Sequence, residues 1–160
     1  MTNEDRALAA VAASGIAHRI VRHGRVGSLV EAALARGVEP RDVVKSIVVR
    51  RAEDDFLLVL VPGDRTISWP KLRALLGVSR LSMPDAATAR EVTGYERGTI
   101  TPFGMTTPLP VIADTRLAGR EISLGAGAHG VTVIAQADDV VAVLGAQIAD
   151  VTEVDATPPG

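Results

Sequence analysis

Two hydrophobic rhythms run along this chain, one helical and one strictly alternating, and glycines punctuate them. From the capping residue Asn3 the helical rhythm runs to Ser14, and Gly15 stops it. Ile16 to Arg22 alternates as a strand does. Ser28 and Glu31 stand at capping-box spacing and open a helix that stops at Gly37. Pro40 begins a short helical turn. Val43 to Arg51 reads as a strand, Glu53-Asp54-Asp55 as a turn, and Phe56 to Val61 as the returning strand of a hairpin. Ser68 caps a helix through Leu76, which a glycine ends. Arg80 to Met83 reads as a short strand, and Pro84 opens a helix reaching Val92. Leu109–Ala113, Glu121–Leu124 and Val131–Ala135 carry strand patterns, Ala137–Leu144 a helical one, and Gln147–Val151 a last short strand. Helices and strands are mixed, with no regular βαβ alternation. The pattern predicts an α+β fold: one domain over residues 1–155 around a mixed or mostly antiparallel sheet, then a frayed tail at 156–160.

Composition narrows the chemistry. Hydrophobic residues make up 47% of the 160 and aromatic ones only 2%, so the core must be built from Val, Leu, Ile and Ala. The absence of cysteine excludes disulfides, thiol nucleophiles and thiolate zinc sites, and agrees with a cytoplasmic protein. The opening residues carry no basic n-region or apolar h-region, so the chain reads without a signal peptide. Its apolar runs are too short to span a bilayer. Net charge is −2, but residues 1–51 hold nine Lys or Arg against five Asp or Glu, and no basic residue follows Arg120. Such a first third is either a local phosphate-binding face, for which Arg22 and Arg25 are the candidates, or simply a solvated surface.

One pattern imitates familiar chemistry. Gly125-Ala-Gly127-Ala-His-Gly130 matches G-x-G-x-x-G, with Asp150 downstream. In a dinucleotide fold those glycines open a helix; here they open Val-Thr-Val-Ile-Ala, which reads as a strand, so the stretch is better taken as a turn between strands. His18, His23 and His129 show no metal-ligand spacing, and no serine sits in G-x-S-x-G. No metal and no cofactor is called for.

Two other features resist a bland reading. Gly98-Thr-Ile-Thr-Pro-Phe-Gly104 brackets its middle with glycines and a proline, which describes a loop of fixed shape. Lys45 interrupts the apolar strand Val43-Val44-Lys45-Ser46-Ile47-Val48-Val49, on the face shared by Val43, Ile47 and Val49. A buried, unpaired ammonium is costly. Either Lys45 precedes the strand proper and reaches water, or its ammonium enters a cleft and holds an anionic or carbonyl oxygen.

Taken together, Gly15-Ile16, Val44-Lys45-Ser46, Thr93-Gly94-Tyr95, Gly98-x-x-x-Pro102-x-Gly104, Leu109-Pro110, the Gly125–Gly130 turn and Asp138-Asp139-Val140-Val141 resemble the YbaK family, the prolyl-tRNA synthetase-associated or INS-like editing domains. The resemblance runs from residue 4 to 152. It implies a compact mixed α/β domain with a partly barrel-like sheet surrounded by helices. It also implies a trans-editing deacylase that hydrolyses the ester of a small mischarged amino acid, cysteine or alanine, from tRNA-Pro. Lys45 then matches the family's functional lysine, and Gly98 to Pro102 its substrate loop, so Lys45, Gly98 and Pro102 are the catalytic candidates. Around them, His23, Ser46, Tyr95, Thr99, Ile100, Thr101, Gly104, Gly127 and His129 are candidates for substrate contact. The aminoacylated 3′ end of tRNA and prolyl-tRNA synthetase are the implied partners, with the chain a monomer or homodimer away from membranes. His129 and Gly24-Arg-Val-Gly-Ser28 depart from the family pattern at positions facing the amino acid. A non-catalytic module of the same fold, binding tRNA or an aminoacyl-adenosine-like ligand, is the alternative.

Overall fold

The computed structural model describes residues 1–155. The expected tail at 156–160 lies outside them. Five α-helices and nine strands form a mixed α+β domain. They are α1 (Asn3–Ser14), β1 (His18–Arg22), α2 (Leu29–Arg36), β2 (Lys45–Ala52), β3 (Asp55–Val61), β4 (Arg65–Ile67), α3 (Trp69–Leu76), α4 (Ala86–Thr93), β5 (Val111–Asp114), β6 (Glu121–Gly125), β7 (Val131–Gln136), α5 (Ala137–Leu144), β8 (Gln147–Ala149) and β9 (Thr152–Val154). No helix among the described residues is long and apolar enough to cross a membrane.

The strands make three sheets. One is antiparallel in the order β1-β7-β6; one is mixed, β2-β3-β5-β8, with β2–β3 antiparallel and the rest parallel; β4 and β9 pair by themselves. The first two sheets are joined where Val43 bridges Ser123 and the Val44 N–H donates to the Ser123 carbonyl at 2.9 Å. Leu57 to Val61 of β3 are all buried, because both faces of this strand are covered. Leu58 and Leu60 enter a large core with Val44, Val48, Tyr95, Leu124 and Val133. Leu57, Val59 and Val61 enter a smaller one with Val49, Leu72 and Val151.

Local signals hold with small shifts. The α1 cap is Thr2 rather than Asn3: its hydroxyl accepts from the Asp5 N–H and the Asp5 carboxylate accepts in return. Ser28 caps α2, but the Glu31 carboxylate turns to the Gly27 N–H at 2.7 Å, leaving the box half closed. Arg80–Met83 is not a strand; only Ser82 bridges to Arg50. Helix α4 starts after Pro84, on the cap Asp85. The expected last strand, Gln147–Val151, ends early as β8, the Val151 N–H donates to the Asp114 carboxylate, and β9 follows beyond it as a strand not predicted.

Candidate active-site cleft

The junction of the two larger sheets is where the unusual lysine falls. Val44 and Val48 point into the large core, and Ser46 between them shares their face. Lys45 shares the opposite face with Ile47 and Val49. It is the first residue of β2 and half-buried, and its Nζ donates to the main-chain carbonyl of Arg65 in β4. Burial pulls its pKa below the ordinary 10.5, while the charges of Asp155 and Asp64 pull the other way. The strand therefore begins at the lysine, and the ammonium is satisfied by a carbonyl rather than by bulk water.

The loop Gly98–Gly104 forms the facing wall. Its interior, Thr99 to Phe103, is buried. Thr99 is tied to the Glu96 carbonyl by its N–H at 2.9 Å and its hydroxyl at 2.7 Å. Tyr95, fully buried, donates its hydroxyl to the Phe103 carbonyl at 2.6 Å. Arg6 of α1 stacks over the Tyr95 ring and donates to the Gly104 carbonyl at 2.7 Å. Gly98 has φ of 88°, which a residue with a side chain resists. A Cβ on Gly125 would stand 3.0 Å from the Ile100 carbonyl, so the glycine turn lets two backbones approach. The loop is rigid because every part behind it is bonded. Gly98 and Ile100 line the cleft, and neither N–H donates to a protein acceptor among the described residues.

Two adjoining cavities open here. The first, about 330 Å³, is lined by Val43 to Val48, Met83, Pro84, Ala89, Arg97, Gly98 and Ile100, together with Arg36 and Gly125. The second, about 460 Å³, is lined by His23, Gly24, Arg25, Val26 and Ala128 to Val131, and again by Arg36, Gly98 and Gly125. Neither is lined by an aspartate or a glutamate. Three buried side-chain atoms in the described residues lack a hydrogen-bond partner: His23 Nε2, Arg36 Nε and Ser46 Oγ. All three belong to residues lining these two cavities. Buried polar atoms are otherwise almost always paired. His23 Nδ1 lies 2.8 Å from the Gly24 carbonyl, which only accepts, so Nδ1 carries a proton there, while Nε2 is left without a partner.

The structure thus gathers Lys45, Ser46, Gly98 and Ile100 at one cavity, and His23, Arg25, Gly98 and His129 at the other. Tyr95, Thr99, Thr101, Pro102, Gly104 and Gly127 line neither; Thr99, Thr101, Pro102 and Gly104 are parts of the loop turned from the cavities, and Tyr95 and Gly127 bond to it at the Phe103 and Thr99 carbonyls. Arg22 lies outside as well, paired with Glu4 at 2.9 and 3.1 Å. Arg36 was not among the sequence candidates. A signal for it exists: it follows Ala33 and Ala32 by three and four residues, and so shares the buried face of α2. No group of three or more His, Asp or Glu side chains suited to a metal converges among the described residues.

Residues 23–143 match the family of aminoacyl-tRNA editing domains. The chain belongs to that family. The matched span holds every residue lining the two cavities. The editing domain is 37% identical over 98 residues to the proline–tRNA ligase of Heliobacterium modesticaldum, covering 61% of this chain and 17% of that enzyme. It is 41% identical over 64 residues to the enzyme of Thermosipho africanus, covering 40% of this chain and 11% of the ligase. The chain therefore spans well under a quarter of the curated relatives it matches. A solved protein described as a candidate trans-editing enzyme for prolyl tRNA synthetase superposes with a TM-score of 0.87 at 30% identity, covering 96% of this chain and 98% of that one.

Proposed function

We propose that this editing domain hydrolyses the ester between a small, wrongly attached amino acid and the 3′ end of tRNA, acting in trans in the cytoplasm. Cysteine or alanine on tRNA-Pro are the substrates of choice. The observation that carries the reading is the pair of adjoining cavities whose walls hold the unpartnered His23, Arg36 and Ser46 atoms. The kinship with prolyl-tRNA synthetase sequences and with a candidate trans-editing enzyme supports the choice of RNA and synthetase partner.

The chemistry follows from the loop. Water attacks the ester carbonyl carbon, and the carbonyl oxygen gains negative charge. The N–H groups of Gly98 and Ile100, unpaired and held in place, are the donors for that oxygen. The bond to the ribose oxygen then breaks, and the proton from water ends on the leaving hydroxyl. Free amino acid and uncharged tRNA result. The apolar first cavity receives the amino-acid side chain, with Ser46 Oγ as its one unpaired hydroxyl. Lys45 supplies positive charge at the edge of this cavity. Its direct contact with substrate requires the Arg65 carbonyl to be exchanged for a substrate oxygen. A deacylation screen over tRNAs charged with different small amino acids tests the reading. Release of alanine or cysteine from tRNA-Pro, with prolyl-tRNA-Pro spared, is the expected result; stability of every ester tested would contradict it.

A further inference from the structure

Arg36 ends α2, and its buried-side position gives its guanidinium little to bind. One nitrogen donates to Ser123 Oγ at a long 3.3 Å. Nε is buried and donates to nothing, and no carboxylate pairs with the group among the described residues. Arg22, Arg51, Arg116 and Arg120 each meet an acid. Burial presses the Arg36 pKa downward, yet a guanidinium stays charged under any ordinary condition. A cation partly removed from water without a partner is expensive. What would satisfy it must arrive from outside.

The position says what arrives. Arg36 stands in the wall shared by both cavities, beside Gly98 and Gly125. Lys45 and Arg97 line the first cavity, Arg25 and the two histidines His23 and His129 the second, and neither offers a carboxylate. The walls hold no carboxylate and, besides Arg36, the cations Lys45, Arg97 and Arg25, so the ligand charge they suit is negative. The planar fork of a guanidinium matches two oxygens of one phosphate. Lys45 is less suited to that task, because its ammonium already has the Arg65 carbonyl.

We propose that Arg36 binds the phosphodiester immediately 5′ of the terminal adenosine of the tRNA, and so fixes where the ester falls in the first cavity. The identity of the RNA rests on the function proposed above, but the contact does not depend on turnover.

The test uses an unacylated acceptor-stem minihelix and measures binding by fluorescence anisotropy. Two versions are compared: one with the natural last phosphodiester, one with an uncharged methylphosphonate there. With the native protein, the methylphosphonate should weaken binding about tenfold or more, the scale of a hydrogen bond to a charged group. Arg36→Leu should weaken the natural minihelix similarly and show no further penalty from the methylphosphonate. Arg36→Lys should recover part of the loss. The native-protein arm needs no variant to fold. An equal methylphosphonate penalty in native and Arg36→Leu proteins overturns the proposal. So does no penalty in the native protein, or no binding of either minihelix at low salt. Inorganic phosphate that binds only when Arg36 is present, with no methylphosphonate effect, would reassign the site to free phosphate and also overturn it. Phosphate-dependent binding without hydrolysis of any aminoacyl ester would defeat the deacylase reading and leave this contact standing.

Discussion

Two polar clusters in this molecule follow opposite plans. At the ends of β5, β8 and β9, Asp114 is almost wholly buried and accepts from the Arg116 N–H at 3.1 Å, the Val151 N–H at 3.2 Å and the Thr152 hydroxyl at 3.0 Å. Its neighbour Asp150 accepts from Arg116 at 2.7 Å and from Lys71 of α3 at 3.0 Å. The cluster closes on itself and staples three elements. In the cleft the buried atoms of His23, Arg36 and Ser46 have no partner, and no aspartate or glutamate lines either cavity. A closed network adds stability and specifies geometry; an open one leaves desolvated groups for a ligand to satisfy. The difference separates scaffold from site without reference to any relative.

Substitutions in the two clusters should therefore separate folding from activity. A large activity effect is expected at the loop. Gly98→Val places a β-branched residue at positive φ with its Cβ 3.4 Å from the His129 ring. Strain costs about 1–2 kcal/mol, while misplacing the loop donors should slow deacylation about a hundredfold. Thermal melts beside initial rates separate the two. In the closed cluster the effect should reverse. Asp114→Ala strips hydrogen bonds from the buried Val151 N–H and Thr152 hydroxyl and from the exposed Arg116, and should cost about 3 kcal/mol in urea unfolding. The folded fraction should deacylate at the native rate; a loss of rate per folded molecule would show that the clusters are not independent.

Smaller effects sharpen the contrast. Ser46→Ala removes a buried hydroxyl that bonds to nothing, so stability should hold or rise by up to about 1 kcal/mol. A clear loss of stability would mean that the hydroxyl is satisfied within the fold. Lys45 gives the pH signature. Burial lowers its folded pKa below 10.5, so the cost of burying its charge is present in full below that folded value. Between the folded and unfolded pKa values the unfolded chain binds more protons, and native stability gains as pH rises. The extra stability of Lys45→Met over the native chain, followed by urea melts from neutral pH to about pH 10, should therefore shrink. A constant gap would contradict the depressed pKa.

What the sequence revealed was what local chemistry decides. The serine caps of α2 and α3, the glycines after α1, α2 and α3, and the β2–β3 hairpin all depend on neighbours in the chain. The three-residue strand β4 carries no period to detect and exists because β9, far along the chain, pairs with it. Residues chosen around the glycine–proline loop fell on both sides of it, since a motif does not say which of its residues faces the ligand. Tyr95 is the clearest case: the single tyrosine turns inward and braces the loop through the Phe103 carbonyl. Arg36 escaped notice because an arginine in the last turn of a helix ordinarily complements the helix dipole. The burial of Arg36 depends on residues distant in sequence: Gly98 and Gly125 share its cavity wall, and Ser123 of β6 gives it a single long hydrogen bond.

The claim that this cleft is a deacylase site is tested by single-turnover hydrolysis of alanyl- and cysteinyl-tRNA-Pro, run in parallel with native protein and Lys45→Ala, each with a melting curve. The account predicts ester hydrolysis by the native protein. It predicts a fall of roughly a hundred- to a thousandfold in Lys45→Ala at unchanged or higher melting temperature, the scale of one lost preorganised electrostatic contact. Near-native hydrolysis by a well-folded Lys45→Ala protein would remove the lysine from the chemistry, and stable esters in the presence of native protein would contradict the account as a whole.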